Sequence, residues 1–383
     1  MFTIVINSII IFVFKMKEIK FYNNYKVQSL YGRYIINESI EPVITKYSFN
    51  IAGYSVNNLP VYSLMYGNGD IKILLWSQMH GNESTSTKAL FDLLSFLENY
   101  GKELKSKISL KIIPILNPDG AKNYTRENFN NIDLNRDAQN LTQPESKILR
   151  NIYDDFKPDF CFNLHDQRTM YSLDNYNSSV ISFSSPSVDK IKSETNSRIL
   201  SMQIISSIYE KMNNIIPGNV GRYSDEFNIN CVGDTFQNLE TPTILFESGH
   251  YKNDYQREIS RKFVCLGLIY ALKAILNSKI DYKKYYQIPE NKKQLCDIKI
   301  INIKVKKDSG YKKTNMSIMF NEKLNLLEKK IEFIPVIFEV GKIHEIKGHL
   351  TINFSKIDKI FNLNASSSIS QIIDYIDKLR NIH

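Results

Sequence analysis

The chain has 383 residues, of which 43% are hydrophobic and 12% aromatic, enough apolar material for a large buried core and too much for a disordered protein. Its formal charge of +9 is dispersed, with acidic residues interleaved and no continuous basic tract, so a nucleic-acid partner is not expected and the surplus serves solubility. The four cysteines, Cys161, Cys231, Cys265 and Cys296, are far apart and lack C-x-x-C pairing; this excludes a zinc ribbon or a redox pair and is the usage of a reducing compartment.

In chain order, the amino terminus "MFTIVINSIIIFVF" is apolar but has no basic leader and no small-residue cleavage site. It is also shorter than the roughly 20 residues that span a bilayer. Met16 offers an alternative start. A weak export or anchoring segment is the other reading of this stretch; we expect a cytoplasmic protein without stable membrane insertion, with residues 1–46 as an N-terminal segment ahead of the α/β part. From about Tyr47 to Leu276 the pattern alternates strand and helix, which predicts an α/β fold with a mixed, largely parallel central sheet flanked by helices. "IKILLWSQ" (Ile71 to Gln78) reads as a strand covered on both faces. It leads through "MHGNE" into a helix carrying Ala89, Leu90, Leu93, Leu94 and Leu97 at helical spacing, with Ser84 or Thr85 to cap it and Gly101 to end it.

Further strands are expected at "ISLKIIPILNP", "PDFCFNLHD" and "TPTILFESGH", with helices around Lys190 to Met212 and from Gln256 to Leu276. The first of these strands ends at the turn signal "NPDG". From about Cys296 the texture changes to short alternating segments and a polar, helix-like tail from Ser366. This predicts a small β-rich C-terminal appendage over 296–383, separate from a catalytic domain at 47–280.

The polar residues fall at strand ends. His80 and Glu83 follow one strand, Asn117 and Asp119 a second, His165 ends a third and Glu247 a fourth, and ligand groups in open α/β sheets collect beyond the carboxyl ends of the strands. Two histidines and a glutamate are a known ligand set for a catalytic zinc that keeps one position for water. His80, Glu83 and His165 supply that set; the alternative for each histidine taken singly is a hydrogen-bonded turn residue.

The strings "HGNE", "LNPDGA", an arginine ahead of "DLNR", "NLH" and "FESG" occur in this order between about Tyr47 and Leu276. In this the chain resembles the M14 family of zinc carboxypeptidases. The resemblance implies one zinc ion per chain held by His80, Glu83 and His165. It makes Glu247 the general base, Arg126 the stabiliser of the oxyanion, and Asn135 with Arg136 the pair that grips the terminal carboxylate of a peptide substrate. Asp133 takes the place of the acid that orients the first histidine. Asn82 stands where the digestive members carry an arginine, and Tyr223, beside Arg222, only roughly matches the tyrosine of their mobile loop. Asp234, in the stretch expected to line the specificity pocket, reads either as a partner for a basic side chain or as a loop-capping aspartate. His250, close behind Glu247, is expected to support the site at most, and His344, His349 and His383 have no partners at ligand spacing.

Two other readings share the motifs. An N-acyl amino acid deacylase resembling aspartoacylase and succinylglutamate desuccinylase also reads "HGNE" and keeps "DLNR", but "LNPDGA" with a long following segment is more usual in peptidases. A metal-free binding protein keeping the fold is disfavoured by the intact set of ligands, base and arginines.

Overall fold

A computed structural model describes residue 19 and residues 21–277, 279–363 and 368–380; the apolar amino-terminal stretch and His383 lie outside them. The chain divides into two compact units. The first runs through Gln167 and resumes over Ser179–Asn291; the second comprises Arg168–Ser178 and the chain from Lys292 onward.

In the first unit a helix α1 (Asn37–Ile44) precedes strands β1 (Asn50–Tyr54), β2 (Pro60–Gly67) and β3 (Ile71–Trp76). Helix α2 (Thr85–Tyr100) and strand β4 (Ile108–Ile113) follow, then the short α3 (Pro118–Asn123), α4 (Pro144–Phe156) and β5 (Phe160–Asp166). After the two-residue strand β6 (Tyr171–Ser172) come β7 (Ile181–Ser184), α5 (Asn196–Asn213), β8 (Val220–Arg222), α6 (Val232–Asn238), β9 (Thr243–Ser248) and α7 (Glu258–Asn277). The eight-stranded sheet has the order β1-β2-β4-β3-β5-β9-β7-β8. Its four central strands, β4, β3, β5 and β9, are mutually parallel, so their carboxyl ends share one rim. Ile73, Leu74, Leu75 and Trp76 are fully buried, as expected of a strand covered on both faces.

Helix α2 is buried well beyond its apolar stripe, because Lys88 and Asp92 on its other side are fully buried too. The cover is the stretch ahead of the expected catalytic segment: Tyr22, Tyr25, Leu30 and Ile35 belong to the same core cluster as Leu90 and Leu93. Other boundaries shift for local reasons. Ser84 stands at the N-cap of α2 but gives its hydroxyl to the Arg33 carbonyl at 2.6 Å instead of capping. Gly101 does end the helix, its amide bonding to the Leu97 carbonyl. Helix α5 starts at Asn196, not near Lys190, because the Thr195 side chain caps it by accepting from the Arg198 amide.

The second unit is β-rich. Strand β10 (Lys292–Lys293) pairs with β6, while β11 (Leu295–Lys307), β12 (Gly310–Asn325), β13 (Lys330–Gly341) and β14 (Lys347–Asn353) form a sheet in the order β13-β12-β11-β14, with β15 (Ile360–Phe361) also on β11. Ile372 and Ile376 of helix α8 (Ser368–Arg380) belong to the same core cluster as Ile298, Ile300 and Ile318. Among the described residues no helix is long and apolar enough to cross a membrane.

Candidate metal centre and active site

Beyond Trp76 the chain turns through Gln78, which has a positive φ of 44°, to His80. Gly81 then passes so close to the turn at the start of α3 that a Cβ on it would lie 1.9 Å from the Gly120 carbonyl carbon; no side chain fits there. Asn117 secures this crossing. Its Oδ1 accepts from the Gly120 amide at 2.8 Å and its Nδ2 donates to the Met79 carbonyl at 3.2 Å. Asp119 is buried and accepts from the Asn57 amide at 3.0 Å. Both residues shape the rim.

The crossing brings together the three expected ligands. His80 Nδ1 lies 2.9 Å from Glu83 Oε1, His165 Nδ1 lies 2.8 Å from Glu83 Oε2, and the two Nδ1 atoms are 3.1 Å apart. The other ring nitrogen of His80, Nε2, faces Asp133 Oδ1 at 3.1 Å. That contact fixes the tautomer: the proton sits on Nε2, and the Nδ1 lone pair points at the cluster. Two imidazole lone pairs and a carboxylate, buried and converging, repel one another unless a proton or a cation lies between them. The candidate ligand atoms lie within 4.8 Å of one another, and two nitrogens with one carboxylate oxygen suit zinc. The residues present therefore fit the ion. Burial pushes the Glu83 carboxyl up, but the two histidines outweigh it and hold the group well below its usual range.

Glu247 stands in register with His165 across the β5–β9 pair and is buried. Its pKa is well above the ordinary carboxylate range, first because of burial, then because Glu83 and Asp166 are like charges nearby; Arg126 opposes them. Arg126 donates through Nε and Nη2 to Asp133 Oδ2 at 3.1 and 3.0 Å, while Nη1 faces His80 Nδ1 at 3.2 Å and Glu83 Oε1 at 3.5 Å. Its side chain is still 41% exposed, so the guanidinium edges the cluster on the solvent side.

Arg136 is exposed, with Nη1 on its neighbour's carbonyl and 3.1 Å from Cys231 Sγ. Asn135 Oδ1 accepts from the Val232 amide at 2.9 Å, which ties the arginine segment to the start of α6. Tyr223 is half-buried just past β8, two strands from β9, with its amide on the Phe183 carbonyl. Asn82 is half-buried; its amide reaches the Thr125 carbonyl, and its buried Oδ1 has no hydrogen-bond partner among the described residues. Asp234 lies in the first turn of α6, pushed up to about 7 chiefly by burial. His250 is buried with its ring 4.7 Å from that of Tyr255.

Two residues at the site were given no role by sequence reasoning. Asp166 accepts from Thr85 through both its amide and its hydroxyl, and its own amide donates to Glu83 Oε2 at 3.1 Å. Cys231 stands against Arg136, its thiol pushed up to about 11, foremost by burial. The string "NLHD" displayed Asp166 but not its backbone role, and nothing in the spacing marked Cys231.

Residues 39–205 match the family model described as zinc carboxypeptidase, Peptidase M14. Over that segment the chain is similar to this family, and the segment is less than half of the 383 residues. The match takes in His80, Glu83, Arg126, Asp133, Asn135, Arg136 and His165 and ends ahead of Tyr223 and Glu247. Carboxypeptidase SOL1 of Arabidopsis thaliana is 32% identical over 119 residues, 25% of this chain and 24% of that protein. Probable carboxypeptidase 2 of Arthroderma benhamiae is 27% identical over 100 residues, 25% of this chain and 19% of that protein. The matched part thus spans a quarter or less of these relatives' length. Among solved structures, bovine thrombin-activatable fibrinolysis inhibitor in complex with tick carboxypeptidase inhibitor superposes with a TM-score of 0.51 at 16% identity, covering 65% of this chain and 98% of that one, and so shares the fold.

Proposed function

We propose that the chain is a zinc-dependent metallocarboxypeptidase that hydrolyses the amide bond next to a free C-terminal carboxylate. The observation that carries this reading is the convergence of His80, Glu83 and His165 within 4.8 Å, on the rim where Glu247 is paired in register with His165. His80, Glu83 and His165 would hold the ion. When bound, zinc polarises a water molecule and the scissile carbonyl.

The protein's own groups do the rest. Glu247 takes the proton of the attacking water and passes it to the leaving nitrogen; burial and the neighbouring Glu83 and Asp166 raise its pKa, making it a stronger base than a surface carboxylate. Arg126, pinned in plane by Asp133, presents its cation to the oxyanion as charge develops. Asp133 keeps the His80 proton on Nε2. Asn135 and Arg136 receive the terminal carboxylate, for which the guanidinium fork is suited, and Tyr223 closes over the bound end. The catalytic segment is residues 47–280, with no chemistry assigned to 296–383. The four cysteines are free, which supports a reducing, cytoplasmic setting.

The test is hydrolysis of paired peptides that differ only in their C terminus. Peptides ending in a carboxylate should lose residues one at a time from that end, their amidated twins should resist, and a chelator should stop the reaction. Activity confined to N-acyl amino acids would replace this reading with the deacylase one, and chelator-resistant cleavage would overturn both.

A further inference from the structure

Residues 22–35 precede the segment that matches the family model, yet they are built into the elements that carry the ligand cluster. At the outer end the Tyr22 hydroxyl and the Val27 amide donate to the two carboxylate oxygens of Asp92 at 2.6 and 2.8 Å. Arg261, fully buried, donates to the same carboxylate and to the carbonyls of Val27 and Leu30. These contacts fasten the segment to α2 and α7.

The inner end does something more specific. The carbonyls of Gly32, Arg33 and Ile35 accept from Lys88 Nζ at 2.7 Å, Ser84 Oγ at 2.6 Å and Gln78 Nε2 at 3.0 Å. Those donors flank the loop His80 to Glu83 on both sides. Gln78 Nε2 also donates to the Gly81 carbonyl at 2.8 Å, so one side chain ties Ile35 to the residue after the first histidine. Gly32 reaches this path with a φ of +81°, open to glycine at little cost. Arg33 adds a charge. Its Nη2 is 4.0 Å from Asp166 Oδ2, and neither side chain is more than 5% exposed. The Asp166 amide in turn donates to Glu83 Oε2, the oxygen that faces His165 Nδ1.

We propose that residues 30–35 are a positioning strap for the metal centre, and that Arg33 is its positioning residue, acting on Glu83 and His165 through Asp166. The proposal rests on reading the cluster as a metal site. Partners behind a ligand set its orientation before the ion arrives, and their loss typically weakens metal binding about 10- to 100-fold. The strap supplies such partners from a part of the chain that lies outside the family match.

The test is the zinc dissociation constant of full-length wild-type, R33M and R33K proteins, by competition with a chromophoric chelator, alongside thermal midpoints with and without zinc. R33M keeps the apolar stem and loses the charge; it should bind zinc about tenfold more weakly or worse, and R33K should recover part of the loss. Equal lowering of both midpoints with an unchanged zinc constant would show mere packing and overturn the proposal. Should R33M not fold, hydrogen exchange on the wild-type protein decides: zinc loading should slow the amides of residues 30–35, and unchanged exchange there would overturn it. A wild-type protein that binds no zinc would overturn the metal reading itself, and this proposal with it.

Discussion

Glu247 shares its buried surroundings with two other carboxylates, Glu83 and Asp166, and with one opposing cation, Arg126. Replacement by glutamine removes the proton acceptor while keeping the shape, so E247Q should lose about 10²- to 10⁴-fold in kcat. Below its pKa the carboxyl holds its proton and cannot serve as base, so kcat/KM must rise with pH through that value. Arg126 is the neighbour that pulls the pKa down. R126M should therefore move the acid limb of the profile to higher pH, as well as lowering kcat about 10²- to 10³-fold; an unmoved limb would separate the two residues. The candidate ligand set was legible in the sequence because residue type and strand-end position both point to His80, Glu83 and His165, which the fold brings together. Asp166 was not, because it acts on Glu83 through a backbone amide that any residue would offer, and Arg33 was not, because its partner lies more than a hundred positions away.

Elements were legible where burial follows a simple period. Strand β3 and the apolar stripe of α2 followed their patterns, and the parallel strands delivered their polar ends to one rim. The start of α5 and the extent of β12 (Gly310–Asn325) were less so, because the first depends on which residue caps and the second alternates around lysines and asparagines. The burial of the polar side of α2 was not legible for a physical reason: Asp92 and Lys88 are solvent-seeking by type, but the N-terminal segment covers them and helix α7 supplies Arg261 and Glu258 as partners. Breaking a fully buried pair leaves a charge without compensation, so D92N should destabilise the protein by about 3–5 kcal/mol, read from urea unfolding. A loss below about 1 kcal/mol would mean that the pair is not closed from water as described.

At the scale of the whole molecule, the candidate ligands, Glu247, Arg126, Asp133 and Asp166 all lie in the first compact unit, and the β-rich second unit takes in Arg168–Ser178, shortly after the strand that carries His165. The core clusters of the first unit and that of the second share no residue. Calorimetry should resolve two transitions, and zinc at about a hundredfold excess over its dissociation constant should raise only one of them, by about 5 °C or more. Equal shifts of both would mean that the units unfold together. The three converging candidate ligands carry the metal reading, and zinc content per chain after loading and desalting tests it most directly. Wild type and E247Q should each retain one zinc, and H165A should retain almost none; a wild type without zinc, or an H165A protein that keeps a full complement, would contradict it.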